Sequence, residues 1–243
     1  MFLNITVKKI RNVIPNTFTT LNLFFGCVSL TLLQLKEFDN SAIFTLFSFL
    51  FDFLDGFTSR IIKNKSKIGK ELDSLADIIS FGLVPSMIVF SLLKDERKKA
   101  LPFIEWFSFL IIISSAFRLA EFNITSSFRK KNYGLTTPIN TLFFTTLSFI
   151  MRHQNTGYIK TVILNPMIIV SLIFFSCYFL LSKIPMFSLI FSDFSWKKNK
   201  KRYLFLLISI FLFLTLHLVA IPCIIILYII TSIYYNQRKN FQT

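Results

Sequence analysis

Long apolar runs separated by short polar and basic loops recur along the chain, and no other feature limits its fold as strongly. A helix needs about 20 apolar residues to cross a bilayer, and backbone left open in lipid has unsatisfied polar groups. Runs at about 18–35, 41–62, 71–93, 101–120, 136–151 and 162–182 approach or exceed that length. The block Tyr203–Tyr235 is longer than one upright span needs. It reads as two short spans hinged near His217–Pro222, with a single kinked helix as the alternative. With 53% hydrophobic residues and a mean hydropathy of +0.62, this is membrane-protein composition. The expected fold is an all-α, polytopic integral membrane helix bundle of about eight spans, six in a core over residues 1–182. Residues 183–243 then form a basic loop plus two C-terminal transmembrane helices.

The formal charge of +15 would suggest nucleic acid in a soluble chain. Here the Lys and Arg residues sit between apolar runs, where anionic lipid headgroups are their natural partners and no nucleic acid is implied. With a cytoplasmic N-terminus and eight spans, 20 of the 27 Lys and Arg fall on one side. The positive-inside rule makes that side the cytoplasm, in a multi-pass protein of the cell (cytoplasmic, inner) membrane. Cys27, Cys177 and Cys223 all lie inside apolar runs without metal-ligand spacing, so no disulfide is implied. Residues 1–16 read as a short basic lead, and Pro15-Asn16-Thr17 as the start of the first spanning helix.

Within this hydrophobic background, Asp52-Phe-Leu-Asp55-Gly56-Phe-Thr-Ser59-Arg60 is followed after eight residues by Gly69-Lys-Glu-Leu-Asp73-Ser-Leu-Ala-Asp77. At about 100° per residue, Asp55 lies roughly 60° from Asp52, Gly56 roughly 40° and Arg60 roughly 80°, so one helix face carries all four. Asp73 and Asp77 share a face at i and i+4. In an antiparallel hairpin turning near Asn64–Lys65, Asp52 stands level with Asp77 and Asp55 with Asp73, so four carboxylates converge. Four such groups in a poorly hydrated place cannot all stay ionised alone. Hard divalent cations held by carboxylate oxygens resolve the conflict, and Mg²⁺ typically engages substrate phosphates as well. A set of interhelix salt bridges is the competing reading, and Arg60 is the only basic residue on that face to supply one.

This pattern, Asp52-x₂-Asp55-Gly56-x₂-Ser59-Arg60-x₈-Gly69-x₃-Asp73-x₃-Asp77, resembles the signature of the CDP-alcohol phosphatidyltransferases. Ser59 stands where that family usually has Ala, an equally small residue. Pro15-Asn16-Thr17-Phe-Thr19-Thr20-Leu-Asn22, Phe117-Arg118-Leu-Ala-Glu121-Phe122-Asn123 and Tyr133-Gly134-Leu-Thr-Thr137-Pro138 are similar to the phosphatidylserine synthase branch. The resemblance covers roughly residues 12–140. It implies a catalytic core in residues 1–182, CDP-diacylglycerol as donor, an alcohol as acceptor and CMP as leaving group. It further implies a two-ion Mg²⁺ or Mn²⁺ centre on Asp52, Asp55, Asp73 and Asp77, with Asp77 also the catalytic base. Gly56, Arg60, Ser66, Asn16 and Thr19 would contact the CDP-lipid, and a homodimer is suggested.

These roles agree with the chemistry of the side chains. A glycine lets a nucleotide approach the helix backbone, a guanidinium is a planar fork for phosphate, and a carboxylate can take an acceptor's proton. Arg60 could instead form an internal salt bridge, and Ser66 could be an ordinary turn residue.

L-Serine carries an ammonium and a carboxylate, so its pocket needs a cation and a polar acceptor near the metals. Arg118 and Asn123, at the cytoplasmic end of the fourth span, are the expected acceptor-binding residues; snorkelling of Arg118 to lipid phosphate is its alternative. His217 reads as a packed or helix-bonded histidine, His153 as part of an outer loop remote from the acids, and Trp106 and Trp196 as interface anchors. The expected reaction is CDP-diacylglycerol plus L-serine giving phosphatidylserine and CMP. The rivals are the same chemistry with glycerol 3-phosphate or inositol as acceptor, or a divalent-cation transporter. The transporter explains the acids but not Gly56, Arg60 and Gly69 at these spacings.

Overall fold

The structure, a computed structural model, describes residues 2–62, 67–95, 102–125, 133–153, 165–186 and 196–240. The described residues form helices and connecting turns, joined by one isolated bridge between Tyr133 and Pro185. In chain order the elements are α1 (Phe2–Gln34), α2 (Phe38–Ile62) and α3 (Lys67–Asp77), which passes through a π-helical turn (Ile78–Leu83) into α4 (Val84–Asp95). A 3₁₀ turn (Ile104–Ser108) opens α5 (Phe109–Thr125), followed by α6 (Thr137–His153) and α7 (Pro166–Leu181). Finally α8 (Trp196–Leu216), a 3₁₀ turn (His217–Val219) and α9 (Ala220–Asn240) close the described chain.

Five stretches are long and apolar enough to cross a bilayer: Val13–Gln34, Phe38–Ile62, Ile68–Asp95, Ile104–Ile124 and Arg202–Tyr234. Pro166–Leu181 is a shorter apolar helix. The last long stretch is folded back on itself. The rings of Phe205 and Tyr228 lie 6.2 Å apart, whereas one continuous helix would hold them about 34 Å apart at its usual rise. The reversal is made at His217, which is exposed with a left-handed φ of 49°. It is therefore a turn residue and not a packed histidine of an unbroken run.

α1 departs from the sequence reading, because it begins at Phe2 and carries Pro15 inside it. A proline withholds one N–H from the helical ladder and normally breaks or kinks a helix. The helix nevertheless continues through Pro15, and beside it the hydroxyls of Thr17, Thr19 and Thr20 donate back to the carbonyls of Val13, Pro15 and Asn16. α1 ends in a tight reversal in which the Glu37 amide donates to Leu32 (2.9 Å) and the Lys36 amide to Leu33 (3.1 Å), with Lys36 left-handed at φ 62°. This is the Schellman arrangement usually built on glycine.

A polar seam joins α1 and α2. Ser29 is hydrogen-bonded to Ser41 and Thr45 (both 2.8 Å), and Ser48 to Asn22. Small hydroxyl residues let two helix backbones approach where lipid offers no hydrophobic drive for helix association. On the outer side of the pair Phe25 stacks with Phe44 and Phe51. The apolar core lies further along the bundle, where Val84, Val89, Ile111, Phe144 and Ile173 from α4 to α7 are buried.

The π turn has a local cause. Pro85 has no N–H to give the carbonyl of Phe81 one turn earlier, and that buried carbonyl is taken by the hydroxyl of Thr141 on α6 (3.0 Å). π turns of this kind occur often at functional sites, and this one begins immediately after Asp77.

Candidate metal centre

α1 packs along both α2 and α3, while α2 and α3 hardly touch each other among the described residues. The two acid-bearing helices are therefore the banks of a cleft with α1 as its floor. The close antiparallel hairpin expected from the sequence is replaced by this three-helix arrangement. It still brings acids together: Asp52 from α2 and Asp73 and Asp77 from α3 each place a carboxylate oxygen within 4.8 Å of the others. All three are half-buried.

Asp55 stands apart from that trio. It is 1% exposed, and its Oδ2 accepts a hydrogen bond from Thr19 Oγ1 at 2.8 Å. The reason is rotation, since the step of about 60° between Asp52 and Asp55 turns Asp55 down towards α1. Thr19 is also 1% exposed, its hydroxyl engaged by Asp55 and by the Pro15 carbonyl. It therefore faces a carboxylate inside the protein and presents no open surface to a lipid headgroup. Asn16 is half-buried one turn earlier, its carbonyl accepting from Thr20.

Gly56 faces open space: among the described residues no atom beyond its own helix backbone and chain neighbours lies within 4 Å of where a Cβ would stand. Packing of the chain does not require glycine there. Arg60 is exposed on the last turn of α2, and no carboxylate among the described residues pairs with it. Ser66 lies outside the described residues.

The two expected acceptor residues lie on different sides of α5, because five positions carry the helix about 140° round. Asn123 faces α3: its side-chain amide donates to Ser74 Oγ (2.8 Å), and its carbonyl accepts from Lys70 Nζ (2.8 Å). Arg118 Nη1 donates to the carbonyls of Tyr133 (3.0 Å), in the link between α5 and α6, and of Leu180 (3.1 Å), at the end of α7. Gly134 sits against it at φ 69°, where a Cβ would come within 2.8 Å of Arg118 Nη1. Asn123 is thus tied to α3, the helix that bears Asp73 and Asp77, while Arg118 anchors neighbouring backbone.

His153 contacts Asp39 (3.3 Å) and Arg152 covers the Phe38 ring at the far end of α2. That end is about 20 Å of helix from Asp52.

One residue that the motif reading left without a role stands at the centre of the site. Asn22 of α1 is fully buried, and its Nδ2 lies 3.3 Å from Asp77 Oδ1. An asparagine in the middle of an apolar run was the available signal, because intramembrane polar residues tend to be functional.

Three carboxylates presenting oxygens this close suit a hard divalent cation, which takes several oxygen ligands at about 2.0–2.6 Å. Fold and site together define a polytopic membrane protein whose acid-lined cleft is suited to a divalent metal and, at Gly56, open to a ligand. The chain belongs to the CDP-alcohol phosphatidyltransferase family, which it matches over residues 12–180. It is similar to the CDP-diacylglycerol–serine O-phosphatidyltransferase of Helicobacter pylori, with 34% identity over 46% of each chain. The Bacillus subtilis protein of the same name is 32% identical over 57% of this chain and 76% of its own. The archaetidylserine synthase of Methanothermobacter thermautotrophicus is 32% identical over 54% of this chain and 57% of its own. The chain thus spans about half the length of the Helicobacter and Methanothermobacter relatives.

Proposed function

We propose that the protein transfers the phosphatidyl group of CDP-diacylglycerol to the hydroxyl of L-serine, giving phosphatidylserine and CMP. The observation that carries this reading is the meeting of Asp52, Asp73 and Asp77 across a cleft whose bank, at Gly56, is free of packing. Serine is favoured as acceptor because bacterial and archaeal relatives alike are named for serine-lipid synthesis.

Asp52, Asp55, Asp73 and Asp77 would hold two Mg²⁺ or Mn²⁺ ions. Bound there, divalent ions supply charge stabilisation to the attacking and leaving oxygens of an in-line displacement. The chain's own residues do the rest. Gly56 lets the cytidine nucleotide lie against α2, and Arg60, together with Ser66, binds its phosphates. Asn123, hydrogen-bonded to Ser74 of the acid-bearing α3, orients the amino acid, and the guanidinium of Arg118 attracts its carboxylate. Asp77 accepts the hydroxyl proton as the serine oxygen bonds to phosphorus. The bond from that phosphorus to the oxygen bridging to CMP then breaks, and CMP leaves with the electron pair. The bias of 20 of 27 basic residues to one side supports a cleft mouth open to the cytoplasm, where serine is soluble. A homodimer is the oligomeric state we assign.

The test is CMP release by purified protein offered serine, glycerol 3-phosphate and inositol in parallel, with Mg²⁺, with Mn²⁺ and with chelator. Release that depends on serine and on metal is expected. Preference for either other acceptor overturns the serine assignment, and ion flux without CMP release overturns the enzymatic one.

A further inference from the structure

Asn22 makes contacts that neither packing nor donor binding requires. It is completely buried on the cleft floor, at the level where both banks carry their acids. Ser48, one turn before Asp52 on α2, places its hydroxyl against both the side-chain oxygen and the backbone carbonyl of Asn22, the latter at 3.0 Å. Ser80, in the π turn three residues after Asp77, donates to the same backbone carbonyl at 3.2 Å. Gly26, one turn along α1, allows this approach, because a Cβ there would collide with the Ser80 hydroxyl.

The orientation of the carboxamide follows from its neighbours. With Oδ1 accepting from Ser48, Nδ2 is the end that faces Asp77 Oδ1 at 3.3 Å. The flipped amide would set an oxygen against a carboxylate oxygen, a contact between two acceptors. Asp77, an acceptor only, thus specifies which way Asn22 points, Ser48 packs against the other end of the amide, and Asn22 in turn constrains one oxygen of Asp77. Asp77 also places a carboxylate oxygen within 4.8 Å of those of Asp52 and Asp73.

We propose that Asn22 is a positioning residue for the metal centre: its amide holds Asp77 in the rotamer that faces the cleft, and Ser48 holds the amide. This rests on the metal-dependent reading above and adds to it a role for α1, which bears none of the acids. Thr19, three residues earlier on the same face, makes the equivalent contact to Asp55. Outer partners of ligating carboxylates typically govern metal affinity by about 10- to 100-fold.

The experiment titrates Mn²⁺ alone into the purified full chain in detergent, by calorimetry and by loss of the free-Mn²⁺ paramagnetic signal, with thermal midpoints taken with and without Mn²⁺. Asn22→Ala is expected to weaken Mn²⁺ binding by about 10- to 100-fold and to shrink the Mn²⁺-induced rise in midpoint. Ser48→Ala keeps the carboxamide but unanchors it, and is expected to weaken binding by about 2- to 10-fold, one hydrogen bond's share. Asn22→Ala binding Mn²⁺ like the native chain, whatever its metal-free midpoint, overturns the proposal and leaves the function intact. If Asn22→Ala does not fold, native affinity in a folded Ser48→Ala overturns it instead. Native protein that binds Mn²⁺ through Asn22 yet releases no CMP upholds the proposal while refuting the transferase reading. A native chain that binds no Mn²⁺ overturns both.

Discussion

Gly56 and Gly134 show how one residue type serves two ends. Among the described residues no atom beyond its own helix backbone and chain neighbours lies within 4 Å of a Cβ placed on Gly56, while one on Gly134 would lie within 3 Å of three atoms, on a backbone at φ 69°. Gly56→Ala should therefore leave the thermal midpoint unchanged and raise the KM for CDP-diacylglycerol. Gly134→Ala should destabilise the fold by about 1–3 kcal/mol through backbone strain, read as a lowered thermal midpoint. A fall in midpoint for Gly56→Ala would mean that the glycine serves packing. At Asp77, replacement by Asn keeps the shape and removes the proposed base. Transfer should fall by about 10²- to 10⁴-fold, measured as CMP release, with helical circular dichroism preserved. The motif spacing made Asp52, Asp73 and Asp77 legible as a group. It did not reveal that Asp55 turns to Thr19, because a helical wheel gives angles on one helix and says nothing of a third helix beneath it.

The elements most visible in the sequence were those set by local chemistry, namely apolar runs of spanning length and the polar breaks between them. The π turn was not, since it arises from Pro85 and becomes tolerable only because Thr141, on another helix, satisfies the Phe81 carbonyl. Thr141→Val should cost about 1–3 kcal/mol by leaving that carbonyl unsatisfied, visible in thermal unfolding. The C-terminal block offers a sharper test. In a cysteine-free background lacking Cys27, Cys177 and Cys223, Phe205→Cys with Tyr228→Cys should cross-link through a short bifunctional thiol reagent. Failure to cross-link would favour one long kinked helix over the hairpin of α8 and α9.

For the whole molecule the governing asymmetry is charge. By the expected topology 20 of the 27 basic residues share one side, while Asp39, Asp95, Arg152 and His153 make surface ion pairs at the end of the bundle away from the acid cleft. Exposed pairs of that kind contribute little, about 0–1 kcal/mol each, so they mark an end of the bundle more than they stabilise it. With single cysteines at Ser66 and Glu37, an impermeant maleimide should label Ser66→Cys only from the cytoplasmic face and Glu37→Cys only from the opposite one. Labelling of both from one side would refute the orientation that puts the cleft mouth in the cytoplasm.

By itself the sequence determined that this chain is a helical membrane protein and which carboxylates could be brought together. Hydrophobic length and i, i+3, i+4 spacing are properties of single segments, readable without knowing their neighbours. Only the tertiary structure decided that α1 floors the cleft, that Thr19 and Asn22 each hold one acid from below, and that Arg118 and Asn123 diverge. Those outcomes depend on which helix packs between which, through buried hydroxyl and amide contacts between residues 36 to 58 positions apart.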